Sequence, residues 1–265
     1  MFTVSGGGCN TGHKTPFIFD EPSGLDVHVL LILNHNTHFE LSDKNFMAPP
    51  YHAILFKKGT PHKYYKKDGI YSDNWIRFEC DEEDEKLLDA ALPNATLFAL
   101  KNPEVITNYM NSMLWERFYG DKTKKARLVD TLFRIILEHL GDDYKNNQTI
   151  TYNPYLSKLQ ALRIRILSAP YEVYDLEKIC LETDISISYF QHIYKKFFSV
   201  SFQNDLIKSR IEYAKKLLKN KDITIQEAAF RSGYSNEIHF YRQFKKITGI
   251  TPNKYRQMND EIASE

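Results

Sequence analysis

The amino-acid sequence predicts an α+β protein in which a small N-terminal β-barrel and a helical segment precede an all-α C-terminal domain. Three observations predict this fold. Short β-prone apolar runs fill residues 17–80, apolar residues recur at helical spacing between 102 and 140, and roughly the last hundred residues repeat a pattern of helices. The 265 residues are enough for two domains. We expect a β domain at 1–82, a helical segment at 83–141, a linker at 142–154 and an all-α domain at 155–260.

The charges are divided unevenly along the chain. Residues 1–154 carry 17 Lys and Arg against 21 Asp and Glu, whereas residues 155–265 carry 18 against 13. A basic domain joined to an acidic one is typical of a protein that binds a polyanion and carries an attached controlling domain.

The cysteines and the apolar runs indicate the compartment. Cys9, Cys80 and Cys180 are far apart and lack C-x-x-C spacing, so we interpret them as ordinary thiols and expect neither a metal site nor a cofactor. No apolar run approaches the roughly 20 residues of a membrane helix, and residues 1–10 lack a signal-peptide pattern. We expect a cytoplasmic protein with no membrane partner.

The β region and the helices after it follow from local patterns. Apolar runs at 27–33, 53–56 and 75–80 alternate with Gly and Pro turns, which predicts strands of a barrel. Asn102 and Pro103 form a good helix start, and a second helix is expected from about 124 to 140 with Gly141 as its stop. These helices either only cover the barrel or also form part of a homodimer contact. If the helices do not form the dimer contact, the barrel is the alternative surface for it.

The C-terminal region contains an internal duplication. Aligning 176–206 with 225–256 places Phe190 on Phe240 and Tyr194 on Phe244, 50 residues apart, and the offset falls to 49 upstream. Each copy has the outline of a helix-turn-helix. One continuous helix from about 201 to 219 joins the copies, and its roughly 28 Å is comparable with one turn of B-DNA at about 34 Å.

Caps and turns define the two copies. Thr224 and Glu227 predict a capping box, and Gly233 stands where the chain must turn with a positive φ. Asp184 occupies the equivalent turn in the first copy and tolerates the same conformation. The second helices of the two copies are capped by Ser186 in the first and by Ser235 or Asn236 in the second.

The second copy, Ile-Gln-Glu-Ala-Ala-Phe-Arg-Ser-Gly-Tyr-Ser-Asn followed by His-Phe-Tyr-Arg-Gln-Phe-Lys-Lys-Ile-Thr-Gly-Ile-Thr-Pro, resembles the signature of the AraC/XylS family of bacterial transcription regulators. The resemblance covers about 156–257. Segments 59–64 and 73–78 resemble, less specifically, the cupin-like sensor domain of sugar-responsive members. The resemblance implies a dimeric activator that binds double-stranded DNA, a small-molecule effector such as a carbohydrate, and RNA polymerase. A repressor and an effector-independent partner-binding module stay open as alternatives.

Matching by position to the family assigns residues to DNA. The base-reading residues are Ile187, Ser188, Gln191, His192, Glu237, Ile238, Tyr241 and Arg242. The phosphate-contacting residues are Lys195, Lys196, Lys245, Lys246 and Arg256. Arg242 is the foremost candidate because its guanidinium can hydrogen-bond to both O6 and N7 of guanine. Ordinary solvated surface is the alternative for each of them, and we expect Arg210 to form a structural ion pair.

Histidines raise the possibility of a metal-dependent cupin enzyme. The β region contains His28, His35, His38, His52 and His62. We do not expect an enzyme, because no His-x-His pair with a downstream carboxylate, phosphate loop or serine-nucleophile elbow is found. We assign His62, Tyr64 and Trp75 to an effector pocket, where aromatic faces can stack on a sugar; packing inside the core is the alternative.

Overall fold

The computed structural model describes residues 1–41, 44–146 and 153–262, with no side-chain detail for 259–262. It divides into two compact units, Met1–Pro154 and Tyr155–Glu265. Among the helices in the described ranges, none combines the length and the apolar character needed to span a bilayer.

The N-terminal unit consists of two antiparallel sheets and three helices. Its strands are β1 (Thr3–His13), β2 (Phe17–Glu21), β3 (His28–Leu33), β4 (Thr37–Leu41), β5 (Lys44–Ala48), β6 (His52–Phe56), β7 (His62–Lys66), β8 (Tyr71–Glu79) and β9 (Phe98–Ala99). The helices are α1 (Glu82–Ala91), α2 (Pro103–Tyr119) and α3 (Lys125–Lys145). One sheet has the order β1-β8-β3-β6-β9 and the other β2-β7-β4-β5.

The five-stranded sheet is the middle layer of this unit. Along β3, Leu31 lies in the apolar cluster between the two sheets, whereas Leu30 and Ile32 lie in a second cluster with the helices. This burial on both faces explains why 27–33 is a nearly continuous apolar run rather than an alternating one. The expected β domain with attached helices is confirmed, in the form of a two-sheet sandwich whose outer face is covered by helices.

The predicted end of the second helix is wrong. Gly141 lies inside α3, which continues to Lys145. A Cβ built on Gly141 would stand at an ordinary contact distance of 3.6 Å from the Cβ of Ala91, so Gly141 lies at the interface of α3 with α1 and does not end the helix. The region expected as a linker, 142–154, therefore begins as helix; its residues 147–152 lie outside the described residues.

The C-terminal unit is helical throughout its described part. Its helices are α4 (Leu156–Ser168), α5 (Leu176–Thr183), α6 (Ile187–Phe198), α7 (Phe202–Leu218), α8 (Ile225–Arg231), α9 (Glu237–Thr248) and α10 (Pro252–Ile262). The pairs α5–α6 and α8–α9 are the two predicted helix-turn-helix units.

The connecting helix α7 belongs to two apolar cores. Phe202 and Leu206 pack in the core of the first helix-turn-helix, and Ile211, Ala214 and Leu218 pack in the core of the second. The predicted continuous connector is confirmed, with 17 residues that span about 25 Å. Because both cores hold it, α7 fixes the position of one motif relative to the other.

Candidate nucleic-acid interface

The second helix of each motif begins and ends in the same way. Ser186 caps α6 by accepting the amide N–H of Tyr189 at 3.2 Å, and Asn236 caps α9 by accepting that of Ile238 at 2.8 Å. The helices end at Ser199 and Gly249, both left-handed with φ of 56° and 80°. The caps predicted at Ser186 and Asn236 are confirmed, and the two helices are equivalent in length and in their ends.

The turns within the motifs are equivalent too. Asp184 has φ 54° and Gly233 has φ 85°, so both adopt the left-handed conformation that the duplication requires. The capping box of α8 is present: the Thr224 hydroxyl accepts the Glu227 amide N–H at 3.1 Å, and the Glu227 carboxylate accepts the Thr224 amide N–H at 2.9 Å. Asp184 therefore occupies in the first motif the position that Gly233 has in the second, and it adopts the same left-handed backbone conformation.

Replacement of Gly233 by alanine is expected to lower the free energy of unfolding by about 2–3 kcal/mol, from left-handed strain and steric contact together. A Cβ there would lie 3.0 Å from the Arg210 guanidinium and from the Tyr171 carbonyl oxygen. Gly249→Ala is the matched control, because its φ is similar but a Cβ meets nothing within 4 Å. Urea denaturation of both variants measures the difference; equal losses would contradict a steric role for this turn.

The two second helices bury one face and expose the other. Phe190, Tyr194, Phe240 and Phe244 are fully buried at equivalent positions. The opposite faces hold the predicted base-reading residues, of which Ile187, Ser188, Gln191, His192, Ile238 and Arg242 are exposed and Glu237 and Tyr241 are half-buried. The structure thus exposes six of the eight residues on two matching outward faces, whereas Tyr241 packs against the apolar core of the second motif and Glu237 is half-buried beside it.

Arg242 is free to bind a partner outside the chain. Within the described residues it has no hydrogen bond or ion pair, and its side chain is exposed. By contrast, its neighbour Gln243 contacts His239 at 3.2 Å. A guanidinium without an intramolecular partner keeps its full set of donors for a planar pair of acceptors.

The predicted phosphate contacts divide into two groups. The four lysines lie exposed in the last turns of α6 and α9: Lys195, Lys196, Lys245 and Lys246. Arg256 differs, since its Nη2 donates to the carbonyl oxygen of Ile223 at 2.6 Å and its Nε is buried. That geometry gives Arg256 a structural role in holding α10 to the segment before α8.

The ion pair expected for Arg210 is wrong for the described residues. Arg210 donates instead to the carbonyl oxygens of Pro170 at 2.9 Å and Glu172 at 3.0 Å, and its guanidinium lies over the ring of Tyr234. Burial lowers its pKa from the ordinary value. Arg210 therefore joins the segment between α4 and α5 to the turn of the second motif.

A buried carboxylate positions the first motif. Asp205 Oδ2 accepts from Arg163 Nε at 2.7 Å and from the Tyr194 hydroxyl at 2.9 Å. Burial, followed by the bond to Asp205, raises the pKa of Tyr194. Sequence reasoning missed Asp205, although an acid beside a buried apolar stripe of a helix is a signal for such a network.

The predicted effector residues are only partly brought together. The rings of His62 and Tyr64 lie 6.3 Å apart in the aromatic stack of the sandwich, and His62 also lines a cleft of about 270 Å³. Trp75 lies on the facing sheet, against Gly6 and Gly8 of β1. His62 Nδ1 faces the Thr60 carbonyl oxygen, so its Nε2 is an acceptor, and this nitrogen is buried with no hydrogen-bond partner among the described residues.

The five histidines that raised the possibility of a metal-dependent cupin enzyme have separate environments. His35 accepts the Ser72 amide N–H, His38 stacks on Tyr65, His52 and His62 each face a backbone carbonyl, and His28 lies beside Glu85. A histidine-rich metal-cupin site needs several of these side chains around one position, and within the described sandwich they do not converge on one.

Asp73 is a second residue that sequence reasoning missed. It is 1% exposed on β8, its Oδ2 accepts from the Tyr71 hydroxyl at 2.8 Å, and its Oδ1 lies 3.6 Å from His13 Nε2 without a hydrogen bond. Burial raises the pKa of this carboxyl above its ordinary value. Within the described residues Oδ1 accepts no hydrogen bond beyond this long contact with His13, so a ligand can supply a donor there.

Asp73→Asn is expected to stabilise the protein near pH 7. Each kcal/mol added to the free energy of unfolding should raise the melting temperature by about 2–4 °C. Since folding raises the carboxyl pKa, the native state favours the protonated acid, and this stability is present at low pH and lost as pH rises through the folded pKa. The gain from asparagine should therefore shrink as the pH falls toward about 4. Melting curves of Asp73→Asn and of the exposed control Asp68→Asn between these pH values provide the measurement; a gain that does not depend on pH would contradict it.

Comparison with known proteins identifies the C-terminal unit. Residues 179–258, which cover α6 to α9 and most of α5, match the family model described as "Helix-turn-helix domain". The C-terminal unit is an AraC-type helix-turn-helix domain. The resemblance stated from the sequence is confirmed for this domain.

Curated relatives of the chain carry the same kind of name. It is 36% identical over 159 residues to the uncharacterized HTH-type transcriptional regulator YijO of Escherichia coli, covering 60% of this chain and 55% of that one. It is 34% identical over 82 residues to the uncharacterized HTH-type transcriptional regulator YtdP of Bacillus subtilis, covering 31% and 11%. The chain thus spans about half or less of these relatives.

Solved structures resemble the AraC-type domain or the whole chain. A Listeria innocua protein is 32% identical with a TM-score of 0.36, covering 38% of this chain and 95% of its own. The DNA-binding domain of AdpA, solved with a target DNA, is 23% identical with a TM-score of 0.35, covering 40% and 93%. A variant of ToxT from Vibrio cholerae, solved in its apo form, is 15% identical with a TM-score of 0.36, covering 97% of each chain.

Proposed function

We propose that this protein is a sequence-specific DNA-binding transcription regulator that reads DNA with α6 and α9. The observation that carries the proposal is the pair of matched outward faces on helices of equal length, held by one connecting helix. Such helices enter the major groove and contact base edges with their N-terminal residues. On this proposal the protein is a regulator and not an enzyme.

The two faces differ in the chemistry that they offer to bases. Gln191 on α6 suits adenine, and Arg242 on α9 suits guanine. Ile187 and Ile238 are apolar side chains exposed by 40% and 81%, which fits contact with a thymine methyl group. The four lysines in the last turns add phosphate contacts that strengthen binding without reading sequence.

The N-terminal unit acts, on this proposal, as the controller of an activator. A small-molecule effector, with a carbohydrate as the first class to test, binds within the sandwich near His62 Nε2 and Asp73 Oδ1, two buried acceptors that receive no hydrogen bond within the described residues. We propose a homodimer that contacts RNA polymerase when the effector aligns its DNA-binding units. The aromatic side chains at the end of α2 support a dimer surface there, since Trp115, Phe118 and Tyr119 are 57%, 57% and 75% exposed.

Selection of DNA from a random pool by the purified full-length protein tests the proposed function. We expect enrichment of one sequence with two elements, bound by a complex whose mass corresponds to two chains. Affinity should fall steeply with salt, because lysines release counterions from phosphates. A pool with no enrichment over background would overturn sequence-specific reading. Repeating the measurement with a carbohydrate library tests the effector separately.

A further inference from the structure

Three potential metal ligands meet at one corner of the N-terminal unit. His28 begins β3, Cys80 directly follows β8, and Glu85 lies in the first turn of α1. His28 Nε2 is 3.0 Å from Glu85 Oε2, Cys80 Sγ is 3.2 Å from the same oxygen, and Cys80 Sγ is 3.9 Å from His28 Nε2. The pairing of β3 with β8, in which His28 lies opposite Phe78, brings the first two residues together.

These distances suit a tetrahedral metal ion. Zinc bonds of about 2.3 Å to sulfur, 2.0 Å to nitrogen and 2.1 Å to oxygen place neighbouring ligand atoms roughly 3.3–3.6 Å apart in a tetrahedron. The three observed separations bracket that range. Small shifts of both the Glu85 and the Cys80 side chains would bring all three separations into that range.

We propose that His28, Cys80 and Glu85 form a binding site for a thiolate-preferring divalent cation of the zinc class. The three ligands leave a fourth position for water or another small ligand. One thiolate and one carboxylate balance the two positive charges of the ion. The site lies on the helix-covered side of the five-stranded sheet, outside the sandwich interior where the effector is proposed.

The environment of the ligands combines fixed orientation with access. The His28 ring is 5% exposed and stacks on Phe78 at 5.1 Å, so its Nε2 is held toward Cys80 and Glu85. The Glu85 side chain is 37% exposed, which opens the site to solvent. Two lysines lie near His28: Lys57 is paired with Asp89 of α1 and so repels an ion less, and Lys58 is exposed to solvent, which screens its charge.

Metal binding requires His28 and Cys80 to release protons from the atoms that take the ion, and the hydrogen-bond partners of His28 indicate where its proton lies beforehand. The Lys58 amide N–H points at His28 Nδ1 at 3.3 Å, so in the metal-free protein the imidazole proton is on Nε2 and is donated to Glu85. When the ion takes Nε2, that proton moves to Nδ1 and the Lys58 bond breaks. The Cys80 proton leaves to solvent as the thiolate forms. Metal binding should therefore weaken as pH falls, and it should loosen the turn that contains Lys58.

The ion would tie α1 to the sheet. Its ligands come from β3, from the residue after β8 and from a helix, so metal bonds would replace the hydrogen bonds that Glu85 now makes with His28 and Cys80. The spacing of the three ligands along the chain, 52 residues and then 5, resembles no short metal motif, which is why the cysteine pattern predicted only ordinary thiols.

Titration of tag-free, EDTA-treated full-length protein with Co²⁺ under reducing conditions tests the proposal. We expect one equivalent to bind, with intense tetrahedral visible bands and a sulfur-to-cobalt charge-transfer band in the near ultraviolet, and Zn²⁺ to abolish both. Weak octahedral bands without the charge-transfer band would overturn the proposal. This readout does not depend on DNA, so its failure is distinct from failure of the regulatory function.

Variants locate the ion. Cys80→Ser should remove the charge-transfer band, and His28→Gln and Glu85→Gln should each weaken Co²⁺ binding more than tenfold. Cys9→Ser and Cys180→Ser are the matched controls and should leave the spectrum unchanged, since Cys9 faces Thr107 of α2 and Cys180 lies in the C-terminal unit. A band that survives Cys80→Ser, or that disappears in either control, contradicts the assignment. Melting curves without metal show which variants are folded, and the spectrum of the unmodified protein decides the matter if any is not.

Discussion

Arg242→Ala is expected to reduce affinity for the selected DNA sequence by about 5- to 150-fold, the equivalent of losing one bidentate contact to guanine. Arg242 is exposed near the start of α9, and its guanidinium has no partner within the described residues. The alanine variant should lose little stability, because the truncated side chain stabilises no part of the fold. The loss should therefore appear in recognition of one base pair, with binding to unrelated DNA reduced much less.

Two further variants separate reading from general attraction. Lys14→Ala removes the same charge from an exposed position in the N-terminal unit and should leave DNA affinity unchanged. Lys246→Ala should weaken binding to all sequences alike and lower the slope of log affinity against log salt by about 1. Binding isotherms on the selected site and on single-base variants give all three results. An Arg242→Ala protein with an unaltered preference at every position would refute its assignment as a base reader.

Phe240→Ala is expected to lower the free energy of unfolding of the C-terminal unit by about 3–5 kcal/mol, the usual cost of deleting a buried aromatic ring. Phe240 is fully buried and its ring contacts those of Tyr234 and Phe244 within the second core. Since a domain is stable by only about 5–15 kcal/mol, this one change should partly unfold the second motif at moderate temperature.

The duplication supplies a matched comparison for this core variant. Phe190→Ala makes the same change at the equivalent buried position of the first motif and should cost a similar amount. Ile247→Ala on the same helix as Phe240 removes a side chain that is 38% exposed, and should cost less than about 1 kcal/mol. Urea denaturation followed by far-ultraviolet circular dichroism compares them. A Phe240→Ala loss as small as that of Ile247→Ala would contradict the second core as described.

The duplicated motifs were the most predictable part of the molecule. Their caps, turns and buried aromatic positions depend on neighbours within a few residues, and the second copy checks the first. Asp184 is an example. It is an aspartate where the second motif has Gly233, yet the alignment of the two copies predicted the left-handed conformation that it adopts, with φ 54°.

Features that depend on distant contacts could not be predicted in the same way. Gly141 resembles a helix stop locally, but in the structure it lies inside α3, where it faces Ala91 across the interface with α1. Likewise Arg210 and Arg256 donate hydrogen bonds to backbone carbonyl oxygens that are distant in sequence and are brought near by the tertiary structure. The position of Asp205 beside an apolar stripe indicates a buried network, but its partners come from other helices, and the cluster of His28, Cys80 and Glu85 likewise joins separate elements, so local spacing identifies neither set of partners.

The sharing of α7 by two cores constrains how the preferred DNA sequence can change. Adding one residue to that helix would turn everything beyond it by about 100° and advance it by about 1.5 Å, so the second motif would face away from the groove that the first one occupies. The length of α7, which carries none of the assigned base-reading residues, thus sets the rotational offset between the two halves of a binding site. New specificities can arise by exchanging side chains on α6 and α9, whereas the distance between the two sequence elements should stay the same.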